Sequence, residues 1–163
     1  MAKHSAGILL YRRGDAGVEV LLVHPGGPFW AKKDAGAWSI PKGEYTEGED
    51  PWDAARREFE EELGKPAPIG PRIDFPPLKQ PSGKVITAFA VLGDLDLDGT
   101  VSNTFTLEWP RGSGRLREYP EIDRVDWFSV AAARLKLLKG QRRLLDFLTD
   151  AVEADGSAES RSR

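Results

Sequence analysis

Glu58, Glu61 and Glu62 are the residues of this chain whose types and spacing best suit chemistry. At about 100° per residue on a helix they fall within one arc of roughly 100°, with Glu58 and Glu62 a turn apart. Glu60 lies about 200° from Glu58 and is expected to face water. Three like charges on one helix face repel, so helix stability gives no reason for them. A hard divalent cation does, because oxygen donors at this density are what Mg²⁺ or Mn²⁺ takes.

The helix that must carry them is marked at both ends. Asp50 and Pro51 read as its N-cap and first residue, and Gly64 as the residue just past its end. Trp52, Ala55, Phe59 and Leu63 occupy an adjoining arc. One side of the helix can therefore pack while another holds metal.

The stretch from Gly43 to Gly64 reads glycine, five residues, Glu49, seven residues, then Arg57-Glu58-Phe59-Glu60-Glu61-Glu62, Leu63 and Gly64. It resembles the Nudix box, G-x5-E-x7-R-E-U-x-E-E-x-G-U with U apolar, at every fixed position but the last. There the family has an aliphatic residue and this chain has Lys65, a departure that touches the helix exit and not the carboxylates. The bland alternative is a solvated acidic helix with Glu/Arg pairs.

The resemblance implies an α/β fold, a Nudix-type α/β/α sandwich with a mixed central sheet. It implies hydrolysis of a nucleoside diphosphate linked to a moiety X. Mg²⁺ or Mn²⁺ would be held by Glu58, Glu61, Glu62 and the backbone carbonyl of Gly43. By the same likeness Arg57 orients a carboxylate and Glu49 accepts Arg57, although a plain structural ion pair is equally open. The general base is sought among Glu118 and Glu121, in the loop before a late strand that ends in Trp127-Phe128. Glu121 stands nearer that aromatic pair and is chosen, so the catalytic set is Arg57, Glu58, Glu61, Glu62 and Glu121.

The box leaves X open. Entry through Trp38-Ser39-Ile40-Pro41-Lys42-Gly43 resembles the asymmetrical dinucleoside tetraphosphate hydrolases and some MutT-like enzymes. Lys42 would offer a point charge to a phosphate chain, with Lys32, Lys33, Arg111 and Arg115 extending a cationic path. Trp30, Tyr45 and Tyr119 are the aromatic candidates for stacking on a base, and Trp52 and Trp127 read as core. The competing functions are a nucleotide-pool-sanitising triphosphate pyrophosphohydrolase and a nucleotide-sensing module without catalysis. RNA 5′-end hydrolases typically carry glutamine where Lys42 stands, and diphosphoinositol hydrolases want a denser basic cluster.

A length of 163 residues fits one domain, expected over 1–152, with 153–163 as a disordered tail. The net charge of −3 disfavours stable nucleic-acid binding. No apolar run reaches the length of a membrane span, and no signal peptide is apparent. The absence of cysteine removes disulfides and thiolate chemistry, and a cytoplasmic enzyme acting on a nucleotide small molecule fits. Strands are expected over 6–11, 18–23, 38–40, near Ile73, and over 84–92, 104–109 and 124–130. Helices are expected over 130–138 and 141–152 after the box helix.

Overall fold

The computed structural model describes the backbone of residues 3–161 and the side chains of residues 3–154. In chain order it contains β1 (His4–Gly14), β2 (Gly17–Pro25), β3 (Lys42–Glu44), α1 (Pro51–Leu63), β4 (Arg72–Asp74) and β5 (Leu78–Lys79). There follow β6 (Val85–Leu92), β7 (Thr104–Glu108), β8 (Leu116–Pro120), β9 (Ile122–Ser129), α2 (Val130–Lys136) and α3 (Arg143–Arg161).

The two apolar runs near the N-terminus form a hairpin, closed between Gly14 and Gly17. β6 lies parallel to β1, from His4 opposite Val85 to Tyr11 opposite Leu92, and β9 runs antiparallel to β2. The order β4-β6-β1-β2-β9 is thus a mixed sheet, with β3 added to the start of β1 and β5 to β6. β1 is buried on both faces, which explains its unbroken apolar run. Ala6, Ile8 and Leu10 pack against Ala54, Ala55, Phe59 and Leu63 of α1. Leu9 and Tyr11 join Ala133 of α2 and Leu144, Leu145 and Leu148 of α3 in a second core. This is the α/β/α sandwich. Phe59 is fully buried, so truncating it to alanine should cost about 3–5 kcal/mol.

Three segments differ from expectation. Residues 38–40 form only isolated bridges, Val23 to Ser39 and Trp38 to Leu137, and the strand proper is β3 at the box entrance. β8 was expected as loop; its sequence Leu-Arg-Glu-Tyr-Pro is short and polar, without the alternation that marks a half-buried strand. It pairs with β7 as a two-stranded ribbon outside the main sheet. α3 continues past Val152, and the side chains of the expected tail from residue 155 onward lie outside the described residues. Among the described residues no helix is long and apolar enough to cross a membrane.

Candidate active site

α1 begins and ends as its sequence dictates. Asp50 is extended and its side chain accepts from the Asp53 N–H at 3.4 Å, with Pro51 in the first turn. Gly64 takes the left-handed conformation, φ 73°, and closes the helix on the Glu60 carbonyl at 2.7 Å. Lys65, which departs from the box, finds polar work at the exit: its ammonium donates to the carbonyls of Asp96 and Asp98. That loop then returns along the helix end, Val101 N–H donating to Leu63 and Asn103 N–H to Glu61, both at 3.0 Å.

The glutamates take the expected phase. Glu58, Glu61 and Glu62 line one cavity of about 540 Å³ with Lys42, Gly43, Glu44, Asn103, Thr104 and Glu121, and Glu60 is not among its lining residues. Arg57 braces the set. It pairs with Glu49, donates to Glu58 at 3.1 Å, and approaches Glu61 at 3.8 Å. The same guanidinium thus touches both the box carboxylates and Glu49 at the helix entrance.

Burial lifts the Glu62 carboxyl to about 8, against the pull of the Lys42 charge and backbone. Its Oε2 is buried with no hydrogen-bond partner. Glu58 is raised too, chiefly by burial, with the Arg57 hydrogen bond opposing. Across the cavity a Cβ built on Gly43 would lie 2.0 Å from the Glu58 carboxyl group, so any side chain at 43 would displace that carboxyl. A divalent cation fits these residues: it would satisfy the orphaned oxygen and balance a cavity with five carboxylates and one lysine. Among the described residues no three carboxylate, imidazole or thiol side chains already converge on one point.

Glu121 joins this set although it is far away in sequence. It is the single residue between β8 and β9. Its N–H donates to Asn103 at 2.7 Å, and its carbonyl accepts from Gly26 at 2.9 Å. Since Asn103 also bonds the last turn of α1, one backbone chain ties Glu121 to the box glutamates. Ser102 completes the clasp, accepting from Ile122 N–H at 3.0 Å and donating to its carbonyl at 3.1 Å.

Two further cavities continue the cleft. One of about 260 Å³ is lined by Trp30, Lys42, Glu62 and Glu121 among others, and one of about 360 Å³ by Phe29, Trp30, Phe105, Leu107 and Glu121. Glu121 lines all three cavities. Trp38 is buried, bonded to Asp34 at 2.8 Å, and belongs to the scaffold that delivers Lys42. Buried Gln141 secures the same segment, accepting from Ile40 N–H at 3.1 Å and donating to Ser39 Oγ at 2.9 Å.

Other sequence candidates are not brought to the cleft. Tyr45 packs on the core beneath α1 and against the His4 ring. Lys32 is exposed outside the cavity linings, and Arg111 lies in the exposed turn between β7 and β8. Lys33 stacks over Phe29 and Trp30 at 4.1 and 5.0 Å. Tyr119 lies against Phe105, ring centroids 5.9 Å apart, and so supports that ring. Trp52 and Trp127 pack against the core, as expected. Phe105, Ser102 and Asn103 were missed. The signal for Phe105 was present in Thr-Phe-Thr-Leu-Glu, a strand with one apolar face.

The model of the NUDIX domain matches residues 1–148. The chain belongs to the Nudix family. It is a Nudix pyrophosphohydrolase, of a family that acts on nucleoside diphosphate-linked substrates and generally uses divalent metal. Solved structures agree in fold. A C. elegans Ap4A hydrolase binary complex is 20% identical at TM-score 0.60, with 92% of this chain and 98% of that one covered. The NUDIX domain of Shewanella oneidensis NrtR, complexed with ADP ribose, is 14% identical at TM-score 0.64, covering 93% and 89%. A mutT/nudix family protein from Listeria innocua is 19% identical at TM-score 0.64, covering 96% and 97%. Among curated proteins no sequence match was found.

Proposed function

We propose that this Nudix hydrolase cleaves dinucleoside polyphosphates, diadenosine tetraphosphate being the representative substrate, asymmetrically to ATP and AMP. The observation that carries the proposal is the length of the cleft. Three cavities joined through Glu121 run from the carboxylates past Lys42 to an aromatic slot. The Ap4A hydrolase among the structures of like fold is in keeping with it.

Glu58, Glu61, Glu62 and the Gly43 carbonyl are the proposed holders of Mg²⁺ or Mn²⁺. Bound there, the ion would neutralise phosphate oxygens and acidify water. Lys42 holds the phosphate chain as a point charge, and Arg57 keeps Glu58 and Glu61 in place. Glu121 is the general base. The water oxygen bonds to phosphorus, the P–O anhydride bond breaks, and the proton lost by water passes to the Glu121 carboxylate. Its fixed backbone and its place where the cavities meet favour this role over Glu118, which lines none of them.

Chromatography of products from diadenosine tetraphosphate, nucleoside triphosphates and ADP-ribose tests the proposal. ATP plus AMP, formed more efficiently than any triphosphate is cleaved, is expected. Pyrophosphate released from triphosphates, with diadenosine tetraphosphate intact, would move the chain to nucleotide-pool sanitation. Metal binding without hydrolysis of any of these would favour a sensing module.

A further inference from the structure

The 360 Å³ cavity lies between two elements that are distant in sequence: the loop after β2 and the β7–β8 ribbon. Pro25, Gly26, Gly27, Pro28, Phe29 and Trp30 form one wall, Phe105 and Leu107 the other. Its volume falls within the about 300–1,000 Å³ usual for small-ligand sites. The glycine pair makes the contact possible. A Cβ on Gly26 would meet the Pro120 carbonyl at 2.0 Å, and one on Gly27, at φ +98°, would meet the Phe105 ring at 2.9 Å.

Both walls are held in place. His24, fully buried, contacts Asp123 through Nδ1 at 2.7 Å and the Lys33 carbonyl through Nε2 at 2.6 Å. Both partners are oxygen acceptors, so the ring ties the far end of the loop, at Lys33, to Asp123 of β9. Lys33 covers the Phe29 and Trp30 rings. Tyr119 lies against Phe105, its partner across the ribbon. The walls are therefore preformed.

The lining side chains are apolar except for Glu121, at the junction with the phosphate-facing cavities. No amide or hydroxyl side chain is there to read the edge of a base. A site that hydrogen-bonds its ligand rejects the wrong one by factors of 10⁴ or more, whereas an apolar pocket discriminates weakly. We propose that this slot, with Phe105 as its principal wall, holds the base of one nucleoside by stacking alone and so accepts adenine and guanine alike. The inference rests on the nucleotide-hydrolase reading above.

Titration calorimetry with AMP, GMP and ribose 5-phosphate, in the presence of Mg²⁺, tests it. AMP and GMP should bind within about threefold of each other, and ribose 5-phosphate, lacking a base, at least about tenfold more weakly. Phe105→Leu should weaken both nucleotides about tenfold and leave ribose 5-phosphate unchanged, while Phe105→Trp restores wild-type affinity. Trp30→Leu gives an independent variant should the ribbon misfold. A preference above about tenfold for one base, or unchanged nucleotide binding in Phe105→Leu and Trp30→Leu, would overturn the slot. If nucleotides bind in this pattern but no anhydride is hydrolysed, the slot stands and the catalytic reading fails. Hydrolysis with unaltered binding in both variants defeats the slot alone.

Discussion

Gly43 and Glu58 are packed so closely that a methyl group on the glycine would stand 2.0 Å from the carboxyl carbon. Glu58 must therefore move if residue 43 gains a side chain. Gly43→Ala should cut turnover at least about tenfold, since misplacing a catalytic group by an ångström is enough for losses of this size. Far-UV circular dichroism should stay native, because Gly43 lies in a three-residue strand at the sheet's margin. Wild-type turnover in this variant would mean that the close approach has no catalytic purpose.

The glutamate face could be read from sequence because its determinants are local. Asp50, Pro51 and Gly64 mark the ends of one helix, and the helical period then places Glu58, Glu61 and Glu62 together and Glu60 apart. Glu121 was found only through family likeness, and its true setting, a single-residue joint between β8 and β9, depends on pairings across the chain. Phe105 stayed hidden because its partner is the Gly26-Gly27 loop, nearly eighty residues earlier. Lys33 and Tyr45 show the converse. Their residue types suit a nucleotide, but local packing takes them elsewhere. The Trp38 signal was real but structural, because this buried ring supports the strand that presents Lys42.

Without divalent cations the protein should lose stability as pH rises. Burial holds the Glu62 carboxyl at about 8, against an ordinary 4.5, and shifts Glu58 in the same direction. Between those values folded Glu62 keeps a proton that the unfolded chain has released, so unfolding becomes easier as pH climbs from about 4.5 to 8. Thermal unfolding in a chelator should show Tm falling by at least about 3 °C from pH 5 to pH 8, the effect of roughly 1 kcal/mol in a domain of this size. Millimolar Mg²⁺ or the Glu62→Gln substitution should flatten the profile. A Tm that rises over this interval in chelator would contradict the burial argument.

Ser102 should act through Glu121. Its hydroxyl clasps Ile122 on both sides, and Asn103 beside it bonds the Glu121 N–H. Glu121→Gln should lower kcat about a hundredfold or more with little change in KM, as expected for a lost general base. Ser102→Ala should lower kcat several-fold and Ser102→Thr should recover it. The alanine variant should add nothing further in a Glu121→Gln background. Additive losses would show that Ser102 does not act through Glu121.

Lys42 lines both the carboxylate cavity and its neighbour, and on the proposed reading its charge would meet a phosphate beyond the bond that breaks. Lys42→Ala should raise KM for diadenosine tetraphosphate about tenfold and change kcat less, since a remote phosphate is held in ground and transition states alike. A loss confined to kcat would place Lys42 at the reacting phosphorus.

The metal assignment is tested most directly by turnover against Mg²⁺ concentration for Glu60→Gln, Glu61→Gln and Glu62→Gln, measured side by side. All three residues lie in one acidic run, but Glu61 and Glu62 line the cavity and Glu60 does not. Glu61→Gln and Glu62→Gln should lose at least about a hundredfold in kcat with native circular dichroism, as the removal of a metal ligand implies. Glu60→Gln should keep wild-type kcat and the wild-type Mg²⁺ dependence, a surface change costing less than about 0.5 kcal/mol. Full activity in both cavity variants, or a loss in Glu60→Gln as deep as theirs, would contradict the assignment.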